Sequence, residues 1–386
     1  MPRPARIALL CLLALVVAAP AQAKVPKAPA GLGLYKPPKH LGPGKHGDLI
    51  WARRVKSPLA QASRTWVLLY RSTSVHGRAI GVSGMVFLPR RKAPKRGWPV
   101  VSWAHGTSGI ADICAPSRDP GGPYTAYLKP QLNAWLKKGY AIANTDYEGL
   151  GTPGVHPYLV GRSEGRGVVD VVRATRQLDR RVGKRYVIAG HSQGGHAALW
   201  AAGLASKWAP ELQLRGVAAF APASHLGVLS RALPALTTPS PLSAIAGLVL
   251  RGLAAVYPAI KPSELASDEF LARLPRADHA CIDQLYGSDT LGGLAPSQIA
   301  RPGADLGTLN RILDAQNPAL KIPAPVLLAQ GAADSTVPPS LTAELNTELH
   351  AKGDKVTYAT YAGVGHVGIV AAADARTRRF LSRRLR

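Results

Sequence analysis

Cysteine is almost missing from this chain: three residues in 386. That excludes a disulfide-dense scaffold and any Cys-rich zinc array. Acidic residues are scarce as well, 22 Asp and Glu against 48 Lys and Arg, for a formal charge of +26. Aromatic residues make up only 6%. The most basic stretch, with Arg376, Arg378, Arg379, Arg383, Arg384 and Arg386, has Phe380 alone to stack a base, so nucleic-acid binding is not expected. There is no H-E-x-x-H and no clustered His/Asp set, so the motifs call for no metal and no cofactor. No internal repeat is visible. What is present is globular: 46% hydrophobic and 18% charged residues, with 39 Gly and 33 Pro. That composition excludes a coiled coil, a collagen and a disordered chain. The length suits one large α/β domain or a domain carrying an insertion.

Residues 1–23 read as a targeting segment. Arg3 and Arg6 make a basic start, and Ile7 to Ala19 is an apolar run too short to span a bilayer. Ala21-Gln22-Ala23 gives the small-x-small pattern of signal peptidase, so the cut is expected after Ala23 and the protein is expected to be secreted or periplasmic. The alternative is an uncleaved anchor. Cys11 lies inside the apolar run after Leu10, which does not fit a lipoprotein site. Cleavage would leave 46 basic and 22 acidic residues, a formal +24. This charge fits attraction to anionic lipid head groups, lipopolysaccharide or acidic polysaccharide. It also fits a codon bias towards Ala, Arg, Gly and Pro. Two cysteines would remain, Cys114 and Cys281. In an oxidising compartment an isolated pair is most simply a disulfide, the alternative being two buried thiols.

Beyond the leader, residues 24–47 are rich in Pro, Gly and Lys and read as an extended, weakly ordered arm. Strands are expected at Trp66 to Ser72, Ala79 to Leu88, Trp98 to Ala104, Tyr140 to Asn144, Tyr186 to Ala189 and Val217 to Ala221. Helical patterns lie over Tyr124 to Lys138, Ser163 to Arg181 and Ser192 to Leu204. The alternation then stops. Residues 227–322 show helical stretches broken by proline and no clear strand; Pro241 to Ile260 is apolar, but Arg251 and Pro258 interrupt it, so it is not a membrane span. Strand logic resumes at Pro325 to Ala329 and Val356 to Tyr361, with helices over Leu341 to Lys352 and Val367 to Leu385. Alternating strands and helices predict an α/β fold with a mostly parallel sheet covered on both faces. Its core would comprise residues 48–226 and 323–386, with 227–322 inserted as a helical cap.

The chemistry concentrates at Gly190-His191-Ser192-Gln193-Gly194, a G-x-S-x-G pattern between an apolar strand and a helix. In that context the glycines allow a cramped turn that exposes the Ser192 hydroxyl, and Gly195 lets the helix pack near the sheet. The competing reading, a phosphate-binding turn, would need the Lys-Ser/Thr of a P-loop, which is missing. A serine nucleophile needs a base and an orienting acid, which follow in chain order Ser, Asp, His. Asp334 follows the strand at 325–329, and His366 follows the strand at 356–361. His350, the only other histidine beyond Asp334, falls inside a helical pattern. Ser192, Asp334 and His366 are therefore the expected triad. The oxyanion hole is expected from the backbone N–H groups of Gln193 and of Thr107, with Ser108 as the alternative for the second. His105, His191 and His196 read as structural.

These segments resemble the secretory lipase family of α/β-hydrolases, whose members are secreted lipases and esterases. The resemblance rests on Trp103 to Thr107, Asp146 to Gly154, His156 to Leu159, Gly190 to Gly195, Asp334 and His366. It implies a helical cap over an acyl pocket, and a Cys114–Cys281 bridge between the oxyanion loop and that cap. The expected activity is hydrolysis of a carboxylic ester, with a lipid or acyl ester as substrate. An acyltransferase or peptidase on the same scaffold, a cell-wall polysaccharide esterase, and a catalytically silent envelope protein are the alternatives.

Overall fold

The computed structural model describes residues 25–386. The expected signal peptide, its cut after Ala23 and Cys11 lie outside them. Nine strands form one sheet: β1 (Leu49–Val55), β2 (Ala62–Thr73), β3 (Ala79–Pro89), β4 (Trp98–Ala104), β5 (Ala141–Thr145), β6 (Val182–His191), β7 (Gln213–Phe220), β8 (Val326–Gly331) and β9 (Val356–Tyr361). Their spatial order is β1-β2-β3-β5-β4-β6-β7-β8-β9. The first three strands and the β3–β5 pair are antiparallel; from β5 to β9 every pair is parallel. The arrangement is that of an α/β-hydrolase.

Side-chain alternation along β4 shows how one strand feeds two cores. Val100 and Ala104 join the cluster under the helices Gly161–Leu178, Gln193–Trp208 and Pro339–Ala351. Val101 and Trp103 point the other way, to Leu132, Trp135 and Leu136 of the helix Lys129–Lys137 and to Leu381 near the C-terminus. Both faces of the inner parallel strands are thus covered, which is why they read as continuous apolar runs, whereas the edge strand β9 is largely half-exposed.

Three elements differ from the sequence pattern. The edge strand β1 was not legible, because Arg53-Arg54 interrupts its alternation and it is only half-buried. The pattern over 124–138 forms two helices, Pro123–Ala126 and Lys129–Lys137. Pro130 opens the second, since proline fits a first helical turn but not an interior. The last helical pattern likewise divides at Ala373 into Ile369–Ala372 and Asp374–Arg384. The arm at 25–47 is more anchored than its composition suggests. A short 3-10 turn, Gly31–Tyr35, buries Leu34 and Tyr35, and the Trp51 indole donates to the Leu34 carbonyl at 2.8 Å.

Above the C-terminal ends of the parallel strands lies a layer of helices between β7 and β8. It includes Leu226–Ala232, Pro241–Ala254, Asp268–Arg273 and Gly307–Asp314. Ser240 starts the longest of these by accepting from the Leu242 N–H at 3.2 Å, and Pro241 occupies the first turn. The layer has its own core around Leu248, Leu253, Phe270, Leu285 and Leu291, shared with Ile110, Tyr158 and Leu159 below. Among the described residues no helix is long and apolar enough to cross a membrane.

Candidate active site

Strand β6 ends at His191, and the helix Gln193–Trp208 begins two residues later. Ser192, between them, has φ 58° and ψ −119°, a conformation strained for any residue with a Cβ. The glycines around it answer to contact distances. A Cβ on Gly190 would sit 2.0 Å from the Gly194 carbonyl oxygen, and one on Gly194 would sit 2.0 Å from that of Ala104. The turn is held by the Ser192 N–H, which donates to the Phe220 carbonyl at 2.9 Å.

The structure brings the three expected side chains together. Ser192 Oγ lies 2.9 Å from His366 Nε2, and His366 Nδ1 lies 2.7 Å from Asp334 Oδ2. The other oxygen of Asp334 accepts from the Thr336 and Val337 N–H groups, both at 2.9 Å. Gln330 Nε2 donates to Oδ2 at 3.1 Å. Burial works to raise the Asp334 carboxyl, but the hydrogen bond and charge of His366, with the two backbone donors, hold it below the ordinary carboxylate range.

Gln193 is the first residue of its helix, so its N–H belongs to the four that a helix leaves without an intrahelical partner. The loop after β4 passes close by: a Cβ on Gly106 would lie 3.8 Å from that of Ser192. Thr107 lines the cleft beside Ser192, and its hydroxyl is 2.6 Å from that of Tyr158. Ser108 is buried instead, its carbonyl accepting from Ile282 N–H at 2.9 Å and from Tyr124 at 3.0 Å. The loop itself is pinned by Tyr147, whose hydroxyl donates to the His105 carbonyl at 2.9 Å.

The three histidines read as structural are packed. Burial lowers His105 to about 4 and His191 to about 3. Both are therefore neutral near pH 7, and His191 donates through Nε2 to the His366 carbonyl at 2.9 Å. His196 joins a buried network that the sequence did not reveal. Its centre is Glu164, which accepts from Gln193 Nε2 at 2.7 Å, from the Leu159 N–H at 3.0 Å and faces His196 Nδ1 at 3.1 Å. Gln193 Nε2 also meets His156 at 2.9 Å. The side chain of the residue after Ser192 is thus held from below by two others. The one sequence hint for Glu164 is its place on the same helix face as Val168 and Val172, which does not reveal its partners.

Ser192 opens into a cleft of about 1190 Å³, counting the space open to solvent. Its walls come from the helical layer, chiefly Leu229, Leu242, Ile245, Val249, Ile299 and Leu309, and no charged side chain lines it. Thr336 and Val337, next to the acid, close one side.

Cys114 and Cys281 form a disulfide with Cα atoms 5.4 Å apart. It ties the segment after the Thr107 loop to the helical layer, next to the Ser108–Ile282 hydrogen bond. The bridge spans 167 residues, so chain entropy sets an upper bound of ~5 kcal/mol on its contribution. Replacing both cysteines with serine is expected to lower unfolding stability by about 2–5 kcal/mol. Denaturant titration of the purified variant checks this, and an unchanged midpoint would refute it.

The family model "Secretory lipase" matches residues 125–386. Among curated proteins the chain is similar to Lipase A of Moesziomyces aphidis, 29% identical over 206 residues, covering 50% of this chain and 42% of the relative. It is similar to Lipase 1 of Candida albicans, 28% identical over 272 residues, 65% of this chain and 55% of the relative. It is also similar to a probable inactive lipase of Mycobacterium tuberculosis, 27% identical over 260 residues, 63% of this chain and 56% of the relative. The matched segments thus span about half the length of these relatives. In solved structures, the fold matches Candida antarctica lipase A in its closed state with TM-score 0.78 at 20% identity, covering 91% of this chain and 85% of that one. The rice cell wall degrading esterase LipA of Xanthomonas oryzae matches with TM-score 0.72 at 20% identity, covering 89% and 100%. The chain belongs to the secretory lipase family, within the lipases and esterases of α/β-hydrolase fold.

Proposed function

We propose that the chain is a secreted serine ester hydrolase that cleaves acyl esters through an acyl-enzyme. The observation that carries this is the Ser192–His366–Asp334 chain of hydrogen bonds opening into a cleft without charge. Ser192 Oγ attacks the ester carbonyl while His366 Nε2 takes its proton. The oxyanion faces the N–H groups of Gln193 and Thr107, at a helix N-terminus whose dipole favours negative charge. His366 returns the proton to the departing alcohol, and the acyl group stays on Ser192. Water then attacks with His366 again as base, releasing the acid. Asp334 accepts from His366 Nδ1 throughout, fixing the tautomer and stabilising the charged ring.

The cleft argues for fatty acyl groups. Each buried methylene contributes roughly 0.8 kcal/mol, and the walls are mostly apolar, with the hydroxyl-bearing Thr107, Tyr158, Ser230 and Thr336 as the exceptions besides Ser192. A series of p-nitrophenyl esters is expected to show kcat/KM rising with acyl length from acetate through medium chains, with emulsified triglyceride also turned over. Ile245→Glu, which places a carboxylate in the wall, should remove most of the gain for long chains and spare acetate. A serine-directed fluorophosphonate should label one residue, Ser192, by peptide mapping. Labelling elsewhere, or a preference for acetate over every longer chain, would contradict this reading.

A further inference from the structure

A second constellation lies away from Ser192, where the chain leaves β7 for the helical layer. His225, just before the helix Leu226–Ala232, is 7% exposed. Neither of its ring nitrogens has a hydrogen-bond partner among the described residues. Its Nε2 faces two carboxylates on the helix Pro339–Ala351: Glu348 Oε2 at 3.3 Å and Glu344 Oε1 at 3.8 Å. Those glutamates are four residues apart and so share one helix face. The three ligand atoms lie within 4.8 Å of one another.

We propose that His225, Glu344 and Glu348 bind a divalent transition-metal ion of the zinc class. The donor set is the first argument. One imidazole and two carboxylates suit Zn²⁺ and its neighbours, whereas Ca²⁺ and Mg²⁺ take sets made of oxygen alone. The spacing is the second. Ligands at ~2.0–2.2 Å from a tetrahedral ion lie about 3.3–3.6 Å apart, close to the two distances seen. The supporting shell is the third. Asn317 Oδ1 accepts from the backbone N–H of His225 at 3.4 Å, while its Nδ2 donates to both Glu348 oxygens at 2.9 and 3.2 Å. One side chain therefore orients the Glu348 carboxylate, as outer partners of metal ligands do, and ties it to the backbone of His225. The glutamates are partly exposed, which leaves an entry path and room for water as a further ligand.

The site has a structural task. It joins the root of the helical layer to the helix that follows the Asp334 loop. On each side of it are residues that wall the cleft: Ala223 and Leu226 on one strand exit, Thr336 and Val337 on the other. A bound ion would brace the cleft from behind and take no part in the ester chemistry. The sequence could not suggest it, because residue 225 is more than a hundred positions from 344 and 348.

The test uses the full-length mature protein without a histidine tag, stripped with EDTA, dialysed and then equilibrated with Zn²⁺. One zinc per chain, measured by elemental analysis after gel filtration, is expected, with a higher thermal midpoint than the stripped protein. Co²⁺ in its place should give visible d–d bands. Glu344→Gln and Glu348→Gln, both at partly exposed positions, should abolish stoichiometric binding and the thermal shift. His225→Asn, chosen because asparagine tolerates the left-handed backbone there (φ 52°), should do the same. Asn317→Ala should weaken zinc about 10–100-fold without abolishing it. Equal zinc binding by the two Glu variants, no binding by the parent, or displacement of zinc by excess Ca²⁺ or Mg²⁺ would overturn the proposal. These readouts do not pass through ester turnover, so their failure would leave the reading of Ser192 untouched.

Discussion

Ser192→Ala is expected to lower kcat on a p-nitrophenyl ester by about a millionfold, leaving a residual rate still above that of water. The hydroxyl is the bond-forming atom, and among the described residues no other hydroxyl is within hydrogen-bond distance of His366 Nε2 to replace it. The residual rate would come from the oxyanion donors and substrate binding, which alanine leaves in place. KM should change little, because the acyl group is held by apolar walls rather than by the hydroxyl. The fold should survive, since alanine occupies the strained backbone at φ 58° as serine does. A companion variant separates strain from chemistry. Ser192→Gly should be equally inactive but more stable than Ser192→Ala by about 1–3 kcal/mol, because glycine adopts this conformation without a Cβ clash. Turnover by Ser192→Ala within about a hundredfold of the parent would refute the nucleophile assignment. So would a failure of fluorophosphonate to compete with substrate. Glycine and alanine variants of equal stability would instead refute the account of the elbow.

The proposed triad was legible in the sequence for a local reason. Ser192 and Asp334 each follow a short apolar run and His366 follows the strand at 356–361, so chain order and topology together selected the three residues without any distance. The second oxyanion donor stays open between Thr107 and Ser108 on sequence alone. Thr107 lining the cleft while Ser108 is buried supports the proposal of Thr107, and that placement is tertiary. The inner parallel strands were readable because burial on both faces makes them continuous apolar runs. β1 was not, because a half-exposed edge strand carrying Arg53-Arg54 has no such run. Glu164 and its partners were hidden for another reason. A buried carboxylate looks like a surface residue in a linear string until its donors, Gln193, Leu159 and His196, are assembled around it. The helical layer showed itself only as a lack of strand signal. Which of its side chains face Ser192 could be known only once the layer was folded over the sheet.

Asp334→Asn is expected to lower kcat by about ten-thousandfold, through the imidazole's tautomer rather than through lost packing. The orientation of the new amide is set in advance. Oδ1 accepts from two backbone N–H groups, Thr336 and Val337, against the single Gln330 Nε2 on Oδ2, so an asparagine is expected to keep its carbonyl oxygen at Oδ1. Its NH₂ then replaces Oδ2 and points at His366 Nδ1. A donor at that position requires Nδ1 to accept, which puts the ring proton on Nε2, facing Ser192. An imidazole protonated on Nε2 cannot take the serine's proton. Asp334→Ala, which removes the acceptor without imposing a donor, should therefore retain more activity than Asp334→Asn, the reverse of what simple isosterism would suggest. The acid limb of stability should change as well. The Asp334 carboxyl is held below its ordinary value of 3.8, so its contribution to stability is complete above that pH and is lost as pH falls through the lower folded value. Asp334→Asn removes that dependence, and its thermal midpoint should fall less steeply than the parent's between neutral and acid pH. Steady-state kinetics with both variants, beside thermal unfolding across that pH range, measure the two effects independently. An asparagine variant as active as the parent to within tenfold, or less impaired than alanine, would mean that Asp334 does not govern the tautomer of His366.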